Sequence, residues 1–179
     1  MTMERVRTVT SHPLPNDESA FSQRDFRNAM GSFATGICIV AANTTDGKAV
    51  GMTVNSFSSL SLDPPLVLFC LGVESTRSQA IIQAGKFNIS MLGANQVEIS
   101  NHFAKPGEGL ALDGMVASGE NGAPVVPHAL AVIECDLDAQ HVGGDHIIMV
   151  GRATRVSVAP ERDPLLYFHG SYRHIGDEI

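Results

Sequence analysis

Along the chain, apolar positions cluster in short runs punctuated by glycine, proline and small polar residues, the pattern of many short strands rather than of a helical bundle. One exception lies near the N-terminus. Ser22 with Asp25 three residues on has the form of a capping box. Phe26, Ala29, Met30 and Phe33 follow at the i, i+3, i+4, i+7 spacing of one buried helical face, with Gly36 as the stop. A β-rich run at 37–42, an Asp46-Gly47 turn and a return run at 49–54 then predict a hairpin. Pro64-Pro65 forces extended chain into the apolar run 66–72, which is expected to be a strand buried on both faces.

Ser75 caps an expected helix that runs to Ala84 and is closed by Gly85. Phe87, Ile89 and Met91 alternate as a half-buried strand, and Asn95 with Glu98 opens another short helix through His102. Residues 107–127, rich in glycine and proline, read as a long loop. Two long β runs at 129–142 and 146–158 are joined across Gly143-Gly144-Asp145, and a short run at 165–169 ends the fold. Strands outnumber helices, tight turns join several of them, and no βαβ alternation appears, so an antiparallel barrel is expected over a doubly wound sheet. No GxGxxG follows the first strand, so a dinucleotide bound here would not use a Rossmann cradle.

Length and charge narrow the function. The 179 residues suit one domain, expected over 21–179 behind an N-terminal arm at 1–20. A net charge of -7 argues against nucleic acid as a partner. No stretch reaches the ~20 apolar residues of a membrane span. The polar N-terminus does not have the form of a secretory signal. Cys38, Cys70 and Cys135 lie apart in apolar runs, as free thiols of a cytoplasmic protein do. His141, Asp145 and His146 invite a metal reading, but the odd separation of the histidines on a hairpin puts them on opposite faces, so no metal site is expected.

The most informative segment is 51–67. Thr53, Asn55, Ser56, Ser58, Ser59 and Ser61 interrupt a strand that should enter the barrel wall. Such a strand suits the polar edge of a flat aromatic ligand, whose carbonyls and imide N–H can be met by backbone amides and short hydroxyls. It equally suits a Ser/Thr-rich turn capping a sheet edge.

Four stretches in order, 26–40 (FRNAMGSFATGICIV), 51–69 (GMTVNSFSSLSLDPPLVLF), 144–153 (GDHIIMVGRA) and 164–173 (PLLYFHGSYR), strongly resemble the flavin reductase components of two-component flavin-dependent monooxygenases. The resemblance covers about 21–173. It implies a mainly β, antiparallel Greek-key split barrel with a few short helices, and a homodimer. It also implies hydride transfer from NADH or NADPH to FAD or FMN, with FAD favoured, and a separate monooxygenase that receives the reduced flavin.

Carried over by position, Met52, Thr53, Val54, Asn55 and Ser56 would hold the isoalloxazine edge, with Ser58 and Ser59 extending toward the nicotinamide. Ser75, Thr76, Arg77 and Ser78 would meet the flavin phosphate. The free N–H groups of the helix they open favour an anion, and Arg77 adds a bidentate donor. Asn101, Phe103 and Ala104 would line the flavin tail, beside Lys105, which is either a pyrophosphate contact or a solvated loop lysine. His146 would position the nicotinamide or else bond the backbone beside its turn, and Tyr172 and Arg173 would close over the dinucleotide. Hydride transfer between two cofactors requires no catalytic acid or nucleophile. A non-catalytic flavin-binding or electron-transfer protein of the same barrel is the alternative, and it would not need His146, Tyr172 and Arg173.

Overall fold

A computed structural model describes residues 21–106, 114–159 and 162–177, so the expected arm at 1–20 lies outside the described residues. The chain opens with α1 (Gln23–Gly31), capped reciprocally by Ser22 and Asp25 as the sequence predicts. Two expectations for this helix fail. It ends at Gly31 with Ser32 as its C-cap, because Thr35–Gly36 form a short strand, β1. Its apolar face is also uncovered: Phe26, Met30 and Phe33 are 55%, 52% and 69% exposed, and no residue of α1 is buried. The spacing correctly marks an apolar stripe, but no described element of this chain packs on it.

Next come β2 (Cys38–Asn43), β3 (Ala49–Val54), β4 (Ser58–Leu62), β5 (Pro65–Gly72), α2 (Thr76–Ala84) and β6 (Lys86–Met91). A 3-10 turn (Ala94–Gln96) leads into α3 (Val97–Ala104), where the Gln96 side chain accepts the Gly93 amide at 2.9 Å. β7 (Ala117–Ser118) and β8 (Pro124–Val125) form a small hairpin inside the segment expected to be loop. β9 (Ala131–Gly143), β10 (His146–Val158) and β11 (Leu166–Phe168) follow, and a further strand, β12 (Ser171–Arg173), extends the fold past its expected end.

Seven strands make one fully antiparallel sheet in the order β3-β2-β6-β9-β10-β5-β4. Its two edges, β3 and β4, are consecutive in the chain and joined only by Asn55, Ser56 and Phe57. A connection that short spans at most about 14 Å. The sheet must therefore curl until its edges nearly meet. They do not pair with each other, and the barrel stays open along this line. The Ser56 hydroxyl stitches the crossing to β5 by accepting the Cys70 amide at 2.9 Å.

β2 explains where the core lies. Cys38, Val40 and Ala42 point into the barrel, with Phe69, Leu71, Phe87, Ile89 and Met149, and α2 packs on the same group through Ile81. Ile37, Ile39 and Ala41 point the other way, onto Leu92, Phe103, Val126 and Leu165. A strand covered on both faces needs a continuous apolar run, which residues 37–42 supply.

The run in β5 behaves differently from expectation: Val67, Phe69 and Leu71 are buried and the alternate positions only partly so, because nothing described covers the outer face fully. β6 departs in the opposite sense, burying Phe87, Asn88, Ile89 and Ser90. Its polar groups are satisfied by the β7–β8 hairpin: Asn88 and Asn121 exchange amide hydrogen bonds of 3.0 and 2.8 Å, and Ser90 accepts the Val126 amide at 3.0 Å.

Gly151 in β10 tests how tightly this barrel is filled. A Cβ there would sit 2.6 Å from the tip of the Phe87 ring, which already packs edge-on against Phe69 with centroids 5.1 Å apart. Gly151→Ala is expected to destabilise the fold by about 1–3 kcal/mol through overpacking, read as a lower urea midpoint with an unchanged m-value.

Candidate functional site

β2 takes the hydrogen bonds on one side of β3, and the other side faces the open line of the barrel. An edge of this kind presents unpaired backbone donors and acceptors. The last residues of β3, Met52, Thr53 and Val54, and then Asn55 line a cavity of about 250 Å³. Ser100, Phe103 and Ala104 of α3 and Tyr167 and Tyr172 of the β11–β12 hairpin form its other walls, with Ile37 and Arg77 completing the lining. Four separate parts of the chain thus converge on the strand whose polar residues mark it in the sequence.

Side-chain bonds hold the walls together. The Thr53 hydroxyl donates to the Ser100 carbonyl at 2.7 Å. The Tyr172 hydroxyl donates to the Asn101 side chain at 3.0 Å and lies 2.9 Å from the Ser100 hydroxyl, which therefore donates to it. The Tyr172 ring packs edge-on against Tyr167, centroids 5.5 Å apart. Gly51 allows α3 to seat this closely, since a Cβ there would fall 2.7 Å from the Phe103 ring.

Arg77 is only 8% exposed. Its Nη1 donates to the Gly51 carbonyl at 3.2 Å and the Phe103 carbonyl at 3.0 Å, and its Nη2 donates to the Lys105 carbonyl. It thereby caps the C-terminal end of α3 and ties it to β3. Burial pulls its pKa down from the usual value, yet a guanidinium stays charged in proteins.

The other expected site residues divide clearly. Ser75 caps α2, accepting the Ser78 amide at 3.4 Å, and the buried Ser78 hydroxyl points at the Met52 sulfur, 3.3 Å away. Thr76 is exposed in the first turn of α2. Ser56 is occupied with Cys70, and Ser58 and Ser59 lie exposed on β4. Lys105 and Arg173 are exposed and outside the cavity lining. His146, also exposed, stands opposite Gly72 at the β9–β10 turn. Its Nδ1 is 2.8 Å from Asp145, whose carboxyl this hydrogen bond and the charge beside it hold below the usual range.

Sequence reasoning passed over Ile37, Ser100 and Tyr167. It also passed over a second cavity of about 700 Å³ between α1 and the β11–β12 turn, which shares Asn55 and Tyr167 with the first. His169 joins its two sides: its amide donates to the Gly31 carbonyl at 2.8 Å, and its Nε2 is 3.0 Å from the Ser32 hydroxyl. Tyr167 and His169 lie in the 164–173 stretch that carries the resemblance; Ser100 adjoins Asn101 but offers no signal of its own.

Residues 30–176 match the model of the flavin reductase like domain. The chain belongs to this family. Over 172 residues this flavin reductase-like chain is 40% identical to "FMN reductase (NADH) SmoA" of Agrobacterium fabrum, covering 95% of each. It is 40% identical over 151 residues to the reductase component of 4-hydroxyphenylacetate 3-monooxygenase of Thermus thermophilus, covering 84% of this chain and 95% of that one. Among solved structures, the Streptomyces globisporus NADH:FAD oxidoreductase SgcE6 in complex with NAD and FAD fragments superposes with a TM-score of 0.81 at 33% identity, over 86% of this chain and 93% of that one.

The Ser100–Tyr172 bond gives a direct test of how the cavity walls are held. Ser100→Ala and Tyr172→Phe are each expected to cost about 1 kcal/mol of stability, and the double variant to cost less than their sum. Thermal or urea unfolding of the four proteins measures that coupling, and strict additivity would refute a shared bond.

Proposed function

We propose that this chain is an NADH-dependent flavin reductase that delivers reduced FMN or FAD to a separate monooxygenase. The observation that carries the reading is the end of β3 at Met52–Val54, paired with β2 on one side only, and Asn55 beyond it, facing a slot walled by Phe103, Tyr167 and Tyr172. Free backbone groups suit the polar pyrimidine edge of a flavin, and the aromatic and apolar walls suit its flat faces. When bound, the flavin and the nicotinamide supply the hydride chemistry. Met52–Asn55, Phe103, Tyr167 and Tyr172 would hold the rings stacked for transfer and exclude water from between them. The named activities of the relatives support NADH as donor and either flavin as acceptor.

The dinucleotide approaches, in this reading, through the larger cavity that adjoins the first at Asn55 and Tyr167. Arg27 and His169 on its walls offer donors to a pyrophosphate, while Met30 and Phe33 offer apolar surface. His146 is proposed to position the nicotinamide from the exposed β9–β10 tip. A homodimer is proposed as well. The exposed apolar side chains of α1, together with Leu62 at 94% exposed on β4 and Val158 at 71% on β10, are surface that such a partner copy would cover.

No helix among the described residues is long and apolar enough to cross a membrane. The described cysteines are free, which agrees with a cytoplasmic enzyme.

Purified protein mixed with NADH or NADPH and with FMN or FAD is expected to oxidise the nicotinamide only when flavin is present, fastest with NADH. Flavin binding without oxidation in any combination would instead favour the non-catalytic carrier. His146→Ala is expected to lower turnover at least tenfold while the flavin Kd changes less than threefold, about the effect of losing one positioning contact. Light scattering is expected to give twice the 19.0 kDa chain mass.

A further inference from the structure

Among the described residues Arg77 stands apart from the other charges of this chain. The ion pairs of those residues, Lys48 with Asp46, His146 with Asp145 and Arg152 with Asp138, are formed by side chains that face solvent to a substantial degree. Arg77 is buried, lines the cavity, and bonds to three backbone carbonyls, with no carboxylate of the described residues within ion-pair distance. Neutral carbonyls satisfy its hydrogen bonds without cancelling its charge. A buried charge is also poorly screened by water and salt. The carbonyls at the end of α3 offset part of that charge, as a helix C-terminus does, but the wall of the cavity keeps a net positive charge at Arg77.

We propose that Arg77 stabilises the reduced, anionic form of the flavin in this cavity relative to the oxidised, neutral ring. The inference rests on the flavin reading above and concerns the charge that the reaction creates. A hydride delivered to N5 brings two electrons and one proton, so the donor ring leaves as a cation and the acceptor ring becomes an anion. That negative charge spreads over N1 and the C2 carbonyl, on the polar edge that the end of β3 is proposed to meet. Arg77 bonds the carbonyl of Gly51, next to Met52, which places its charge at that end of the strand. No acid in the chain has to protonate the product, because the guanidinium stabilises the anion as it forms. Arg77 is thus a charge-positioning group set by its three carbonyl bonds, and the flavin phosphate, whose charge is the same in both redox states, is not its principal partner.

The test compares affinities for oxidised and reduced FMN, measured anaerobically by fluorescence and absorbance titration, in the unaltered protein, Arg77→Lys and Arg77→Gln. Two unit charges several ångströms apart at a partly buried site interact strongly enough to change a binding constant roughly tenfold or more. Arg77→Gln is expected to weaken reduced FMN at least tenfold more than oxidised FMN, and Arg77→Lys to restore most of that ratio. The same ratio is expected with lumiflavin, which has no phosphate. Equal weakening of both redox forms, or an effect that vanishes with lumiflavin, would overturn the proposal in favour of a phosphate contact or a purely structural bracket.

Should Arg77→Gln fail to fold, a pH titration of reduced FMN bound to the unaltered protein decides the matter. Its N1 proton is expected to leave at lower pH than in free reduced FMN, and an unchanged or raised value would refute the inference. Failure of the unaltered protein to bind either form of flavin would refute the flavin reading itself, an outcome separate from those above.

Discussion

The short crossing between β3 and β4 constrains everything else in this structure. Opposite edges of a seven-stranded sheet are joined by Asn55, Ser56 and Phe57 alone, so the sheet has to close on itself at that point. Curling brings β5 under the crossing, where Cys70 meets Ser56. It also leaves β3 with a free hydrogen-bonding edge, because pairing β3 to β4 along their lengths would seal the line where a ligand can enter. The split is thus a geometric consequence of a tight link between two edges that do not zip together. The site occupies the gap that remains.

A free strand edge is a liability in water, and this chain covers it with elements from elsewhere. α3 and the β11–β12 hairpin come over the end of β3, packed on the second apolar cluster through Phe103, Tyr167 and Tyr172 and held to one another by bonds that run sideways between them. Thr53 reaches the Ser100 carbonyl, Ser100 and Asn101 reach Tyr172, and Arg77 gathers the carbonyls of Gly51, Phe103 and Lys105. Polar bonds are directional, so they fix the width of a slot in a way that apolar packing alone does not. Gly51 completes the arrangement, since any side chain there would push Phe103 out of the wall.

Much of this was legible in the sequence where local rules decide the outcome. The Ser22–Asp25 cap, the Asp46-Gly47 turn, Gly85 as a helix stop and the bounds of β3 and β10 follow from capping, turn chemistry and periodicity, and the structure keeps them. What local rules cannot reach is which face gets covered. The stripe of α1 has correct helical spacing, yet Phe26 and Phe33 stay more than half exposed, because only the Phe21 ring stacks on Phe26 and no described helix or strand lies over the stripe. Asn88 and Ser90 read as the outward face of a half-buried strand. They are buried because a hairpin more than thirty residues later brings Asn121 and the Val126 amide to them. In the site, Met52–Asn55 announce themselves by composition and Tyr167 lies in a stretch that carries the resemblance, whereas Ser100 carries no signal of its own and acquires its place only through tertiary contacts.

Arg77 shows why residue type and position together still underdetermine a role. An arginine in the first turn of a helix whose cap is Ser75 invites an anion at the helix N-terminus. The side chain instead turns away from that end and crosses to the C-terminus of α3, where carbonyl oxygens converge. Both arrangements put a cation near a proposed flavin, but they address different parts of it. A charge at the helix N-terminus would act on a group whose ionisation never changes, and so would add affinity equally before and after the reaction. In the proposed pose, a charge in the wall beside β3 acts where electron density changes, so it would bear on the reaction itself.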